Sequence, residues 1–117
     1  MGLKRVVVSG LGALTPIGNN IKSYWAGLKS GVSGADKITY FDTSKFKTQF
    51  ACELKGYDPM NFFDRKEARR LDRFSQYAIV SSDEAIKDSG INSENIDNTR
   101  VGVCLLYTSP SPRDGLL

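Results

Sequence analysis

Apolar residues follow two patterns along the chain: short unbroken runs near its ends, and a repeat of helical spacing between them. The first run, Val6 to Val8 within residues 4–9, is too short for a buried helix and is closed by Gly10. It therefore predicts a fully buried, parallel strand. A second run over residues 100–106 follows a polar turn and predicts another strand.

A first helix is predicted where apolar residues recur at helical spacing until Gly31 stops them, at Ile21, Trp25 and Leu28. Residues 33–50 mix scattered phenylalanines with polar residues, which predicts a loop. A short strand is predicted within residues 50–54.

The best-marked element is a long helix predicted from about Arg65 to Ser89. Asp64 is placed to cap its start, Glu67 follows three residues later as in a capping box, and Gly90 marks its end. The apolar positions fall on one face, which is predicted to pack against a sheet. That face holds Leu71, Phe74, Ala78, Ser82, Ala85 and Ile86. The order β-α-loop-α-β is typical of an α/β protein.

Basic residues cluster on the opposite face of this helix, at Arg65, Lys66, Arg69, Arg70 and Arg73. A solvated helix face is the simpler interpretation. However, Arg65 and Lys66 occupy the first turn, where the helix dipole favours acidic residues, and this favours an acidic partner. Because nearby acidic residues interrupt the cluster and exposed aromatics are missing from it, a compact anionic protein surface fits better than nucleic acid.

The glycine pair after the first strand, Gly10 and Gly12, suggests a dinucleotide-binding turn. The spacing argues against this, because Thr15 stands where the third glycine is required and Pro16 follows it. Tight-turn residues are the simpler interpretation, and a nicotinamide-dependent oxidoreductase remains a minor alternative.

Composition narrows the chemistry of the 117-residue chain, which has no histidine and a net charge of +3. A histidine dyad or triad cannot operate within it. Cys52 and Cys104 match no metal-ligand spacing and are predicted to be inert buried thiols of a cytoplasmic protein. No apolar run reaches the roughly 20 residues of a membrane-spanning helix.

The ordered segments KRVVVSGLGALTPIGNN, YWAGLKSGVSG, FDTSKFKTQFA, DRKEARRLDRFSQYAIVSSDEAIKDSG and TRVGV resemble the amino-terminal portion of a type II β-ketoacyl-acyl-carrier-protein synthase. The resemblance runs from Lys4 to Val103. It implies an α/β fold of the thiolase-like kind, an α-β-α-β-α layered sandwich that is incomplete in this chain, and a homodimer for the full-length enzyme.

The resemblance also implies the reaction: an acyl chain moves from acyl carrier protein to a cysteine, and decarboxylation of malonyl-carrier-protein supplies the carbanion that joins it. The nucleophilic cysteine, two histidines and a lysine of the family lie beyond this chain, so we expect the chain alone to be inactive and to contain no catalytic residue, cofactor or metal. The positions matching the family's carrier-docking patch are Lys66, Arg69 and Arg70. A non-catalytic ketosynthase-like binding subunit is the main alternative.

The chain departs from the family pattern in two places. Cys52 stands where relatives tend to have glycine, so it is not the nucleophile. After Val103 the sequence changes abruptly to CLLYTSPSPRDGLL, which follows no local structural rule. We therefore predict a family domain over residues 1–103 and a non-native or disordered tail over residues 104–117, to which Cys104 belongs.

Overall fold

The computed structural model describes residues 2–104. Within them the chain forms three α-helices and two short strands: α1 (Ile21–Lys29), β1 (Asp36–Lys37), β2 (Phe50–Ala51), α2 (Arg65–Arg70) and α3 (Arg73–Ser89). Short 3-10 helices span Pro59–Asn61 and Asn98–Arg100. None of the helices in this part of the chain is long and apolar enough to cross a membrane.

The first helix, α1, forms where the apolar spacing predicts it. The Asn20 side chain accepts a hydrogen bond from the Ser23 backbone N–H (2.8 Å), and the Ser23 hydroxyl accepts one from the Asn20 N–H (3.3 Å). This reciprocal cap satisfies two amides that a helix start leaves unpaired. Just beyond Lys29, Gly31 has a φ of +65°, a conformation that favours glycine, so the predicted end is confirmed.

The two strands pair antiparallel, with Asp36 opposite Ala51 and Lys37 opposite Phe50. The strand predicted within residues 50–54 is therefore confirmed for its first two residues only. Beyond the strands the Ile38 N–H still donates to the Gln49 carbonyl oxygen (3.0 Å), whereas the Thr39 N–H donates to the Glu53 carboxylate, with both carboxylate oxygens 3.1 Å away.

The buried parallel strand predicted for residues 4–9 is wrong in this structure. Residues 4–9 have no regular structure, and the exposed fractions of Val6, Val7 and Val8 are 91%, 73% and 79%. A strand needs a neighbour to pair its backbone N–H and C=O groups. The described residues place no strand beside this segment.

The single helix predicted from Arg65 to Ser89 is two helices. Leu71 (φ −96°, ψ 129°) and Asp72 (φ −63°, ψ 153°) are extended, so α2 ends after Arg70 and α3 begins at Arg73. Asp72 occupies the N-cap position of α3, but its side chain makes no capping hydrogen bond. The predicted end is confirmed, since Gly90 caps α3 with a φ of +67°.

The apolar face predicted for this helix is only partly covered: Leu71 and Ala85 are half-buried, and the other members are exposed. Phe74 and Ile86 are 73% and 55% exposed, whereas the buried residues of α3 are Gln76 and Val80, at 5% and 8%. The segment over residues 10–21 meets this face only near its C-terminal end, where Gly10 and Gly12 lie against the backbone of Ser81 and Ala85. Within residues 2–104 no sheet lies against the Phe74 side.

The strand predicted over residues 100–106 is also wrong for residues 100–104, which the structure describes. Arg100 ends the 3-10 helix Asn98–Arg100, and residues 101–104 have no regular structure. As with residues 4–9, no neighbouring strand is present among the described residues to form a ladder. Residues 105 and 106 of that prediction, and most of the predicted tail, lie outside the described residues.

Candidate docking site

The basic residues predicted to dock a partner lie on α2. The Asp64 carboxylate accepts hydrogen bonds from the backbone N–H groups of Lys66 (2.8 Å) and Glu67 (2.7 Å), which confirms Asp64 as the N-cap. This aspartate therefore serves the helix start. Its negative charge also offsets the unfavourable placement of basic side chains in the first turn.

The side chains of Lys66, Arg69 and Arg70 share one side of α2, because residues three and four apart are neighbours on a helix. All three are exposed. The ion pairs among residues 2–104 join Lys55 to Asp36 and Lys87 to Asp83, away from α2. The three cations are thus available to an external anion, and they are called the α2 basic face below.

Arg73, predicted to extend this cluster, does not belong to it. Its guanidinium lies 4.5 Å from the centroid of the Tyr40 ring, a cation–π contact. A hydrogen bond to Tyr77 raises the pKa of Arg73 further above its ordinary value. Because the chain turns at Leu71 and Asp72, Arg73 begins a separate helix and lies against the β1–β2 region instead.

Gln76 fixes the junction between α2 and α3. Its side-chain N–H groups donate to the carbonyl oxygens of Ala68 (2.9 Å) and Leu71 (3.0 Å), and its Oε1 accepts from the Tyr57 hydroxyl (3.0 Å). Sequence reasoning missed this residue. The sequence held one signal for the break between the helices. Asp72, a residue type favoured at N-caps, lies inside the predicted helix, and a glutamine follows one turn later.

The glycine segment packs directly against α3. A Cβ on Gly10 would collide with the Ala85 carbonyl oxygen, and one on Gly12 would collide with that of Ser81. Neither glycine has a positive φ. The prediction that they are tight-turn residues is therefore wrong, because close approach to a helix, not a turn, requires glycine here.

Carboxylates of α3 bind the backbone amides of the same segment. Leu11 N–H donates to Asp88 Oδ2, Ala13 N–H to Glu84 Oε2 and Ile21 N–H to Glu84 Oε1, each at 2.9 Å. A pyrophosphate needs free amides and close backbone approach at this turn. Because helix α3 and two carboxylates occupy that space, the nicotinamide alternative is not favoured.

The prediction that both cysteines are buried is wrong. Cys52 follows β2 and is exposed, since two-residue strands paired only with each other leave this thiol uncovered. Cys104 is also exposed, in a stretch without regular structure. Neither thiol has a histidine in the chain to act as its base.

The family model for the beta-ketoacyl synthase, N-terminal domain, matches residues 3–108. The chain is 48% identical over 100 residues to 3-oxoacyl-[acyl-carrier-protein] synthase 2 of Staphylococcus aureus (strain N315), covering 86% of this chain and 24% of that protein. It is 45% identical over 102 residues to the protein of the same name from Synechocystis sp., covering 87% of this chain and 24% of that one.

Among solved structures, the ishigamide ketosynthase/chain length factor superposes with a TM-score of 0.68 at 33% identity, over 77% of this chain and 22% of that one. This likeness confirms the predicted fold class, an α/β thiolase-like fold of which this chain holds a part. The chain belongs to the beta-ketoacyl synthase family, within its N-terminal domain. It spans about a quarter of the length of the relatives it matches, at 24%.

Proposed function

We propose that the chain is the amino-terminal part of a 3-oxoacyl-acyl-carrier-protein synthase, which elongates acyl chains by decarboxylative condensation with malonyl-carrier-protein. The family match and the relatives' shared name support this activity. The nucleophilic cysteine and its histidines are assigned to the part of the enzyme outside this chain. By itself the chain is expected to be inactive, because it contains no histidine to act as the base for a cysteine.

We further propose that the α2 basic face docks acyl carrier protein, which the relatives' names identify as their substrate carrier. The observation that carries this proposal is the grouping of Lys66, Arg69 and Arg70 on one exposed side of a capped helix, without an intramolecular ion pair among the described residues. Exposed charges at the rim of an interface mainly set encounter rate and orientation. The site therefore steers an acidic carrier to the enzyme and takes no part in the bond-making steps.

Charge reversal tests this docking role. Arg69→Glu in the full-length enzyme should weaken carrier-protein binding about tenfold, because it replaces attraction by like-charge repulsion. The matched control is Lys29→Glu at the end of α1, which makes the same change of net charge on another exposed helix. Titration by calorimetry at low ionic strength measures both affinities. Equal affinities for the two variants would remove the docking role from α2.

The choice between a catalytic enzyme and a non-catalytic ketosynthase-like subunit depends on residues outside this chain. The relatives' name, synthase, favours the catalytic alternative. Determining the gene sequence beyond codon 103 tests it. A cysteine in a turn of small residues followed by two histidines is expected, and their absence would favour the binding subunit.

Three further assignments complete the proposal. The full-length enzyme is a homodimer, as the family resemblance implies, and it is cytoplasmic, because two cysteines far apart in sequence without metal-ligand spacing are typical of a reducing compartment. Residues 1–103 belong to the family domain, and residues 104–117 remain predicted to be non-native. The same gene sequence tests this boundary. If residues 104–117 are native, the gene encodes them directly after codon 103, and the predicted boundary is wrong.

A further inference from the structure

Gln76 is the one buried polar residue among residues 2–104, with 5% of its surface exposed. Burying an amide without hydrogen-bond partners is costly, so buried amides are normally paired. Here all three partners come from outside α3: Ala68 of α2, Leu71 of the junction and Tyr57 of the preceding loop. The side chain therefore joins three separate parts of the chain.

The contact with Ala68 meets a specific need of α2. The last four carbonyl groups of an α-helix have no partner within the helix. In α2 the Glu67 carbonyl accepts from the Leu71 N–H at 3.1 Å, while the Ala68 carbonyl accepts from Gln76 Nε2. A residue of the next helix thus completes the end of α2.

Tyr57 holds the other end of the Gln76 amide. Its ring stacks on Phe62 with centroids 5.8 Å apart and meets Tyr77 edge-on at 5.1 Å. The Tyr57 hydroxyl donates to Gln76 Oε1 at 3.0 Å, and the carbonyl oxygens of Ala68 and Leu71 can only accept, so the side-chain N–H groups must face them. The amide orientation is therefore fixed, with both N–H groups directed at α2 and the junction.

We propose that Gln76 is a positioning residue for carrier-protein recognition, acting by fixing the direction in which α2 presents its basic face. A six-residue helix is too short to be stable alone, so its orientation depends on such contacts. The inference rests on the docking role proposed for Lys66, Arg69 and Arg70. It assigns the geometry of that surface to a buried residue that does not touch the partner.

The test is Gln76→Glu in the full-length enzyme, which keeps the size of the side chain but removes both N–H donors. The matched control is Gln49→Glu, the same change at an exposed glutamine. With carrier-bound substrate, KM should rise about fivefold for Gln76→Glu while kcat is retained, since orientation of rim charges affects encounter more than chemistry. With a carrier-free acyl-pantetheine thioester, both constants should stay within about twofold, as for the control.

Hydrogen exchange supplies a second readout, because the Leu71 amide reports the last turn of α2. Its exchange should be about tenfold faster in Gln76→Glu, as expected when a local stabilising contact is lost. If Gln76→Glu does not fold, Tyr57→Phe removes only the hydroxyl that orients the amide, and a smaller change in the same direction is expected.

Three outcomes would overturn the inference. One is an unchanged KM for the carrier in Gln76→Glu when Arg69→Glu raises it, which rejects the positioning role alone. Another is an equal loss with the carrier-bound and carrier-free substrates, which indicates a general structural role. The third is an unchanged KM in both variants, which rejects the docking role of α2 and the inference together.

Discussion

The two sides of α3 differ in burial, and the difference does not follow residue type. On one side Gln76, Val80 and Glu84 are covered or half-covered, and the glycine segment is held there by hydrogen bonds to carboxylates. On the other side Phe74 and Ile86 are largely exposed. Much of the apolar surface of the described residues is therefore uncovered, while hydrogen bonds hold the glycine segment on α3. This is the pattern expected of a quarter of a larger fold, whose strands and helix faces pack against parts outside the chain.

A substitution on the uncovered side of α3 is expected to have the largest effect on the free energy of unfolding. Phe74→Ala should change the thermal midpoint of the 117-residue chain very little, because an exposed side chain contributes within about 0.5 kcal/mol. In the full-length enzyme, where we expect Phe74 to be covered, the same change should cost about 3–5 kcal/mol of unfolding free energy. Circular dichroism melts of both proteins, each with and without the substitution, measure the difference. Equal effects in the two proteins would mean that the Phe74 side stays exposed in the enzyme.

The covered side should be sensitive to added volume. Gly12→Ala places a Cβ against the Ser81 carbonyl oxygen and 2.8 Å from the Ala85 nitrogen, both in the backbone of α3. Overpacking of this kind costs about 1–3 kcal/mol. Gly2→Ala is the control, since nothing lies within 4 Å of its added Cβ. Denaturant unfolding of the full-length enzyme compares them, and equal stability would show that the segment does not pack closely on α3.

The carboxylate contacts should contribute a comparable amount of stability. Glu84→Gln leaves one of the two amides, Ala13 or Ile21, facing an N–H group, and losing a hydrogen bond to a charged group costs about 1.5–3 kcal/mol. Asp83→Asn is the control one residue away, because its exposed ion pair with Lys87 is worth less than about 1 kcal/mol. Faster amide exchange at Ala13 and Ile21 in Glu84→Gln alone is expected. Unchanged exchange would mean that packing, and not these hydrogen bonds, keeps residues 10–21 against α3.

Features determined by neighbouring residues could be predicted from the sequence. Asp64, Gly90 and the end of α1 at Gly31 were correct because capping depends on the local backbone. The exposure of Lys66, Arg69 and Arg70 was also correct, since isolated charges are rarely buried.

Features determined by distant residues could not be predicted. Val6 to Val8 have strand composition, but a strand forms only beside another strand. The break between α2 and α3 depends on hydrogen bonds from Gln76, and the burial of one side of α3 depends on where residues 10–21 return. Helical periodicity predicted an apolar face, but it could not show that most of this face has no covering sheet within residues 2–104.

The central claim is that these residues form the carrier-docking part of a condensing enzyme. The most direct measurement is steady-state condensation by the full-length enzyme with acyl- and malonyl-carrier-protein, comparing the unaltered enzyme with a variant carrying Lys66→Glu, Arg69→Glu and Arg70→Glu. A 3-oxoacyl product is predicted for both, with a KM for carrier protein at least tenfold higher in the variant and kcat within about twofold. Failure of the unaltered enzyme to form the product, or an unchanged KM in the variant, would contradict the account.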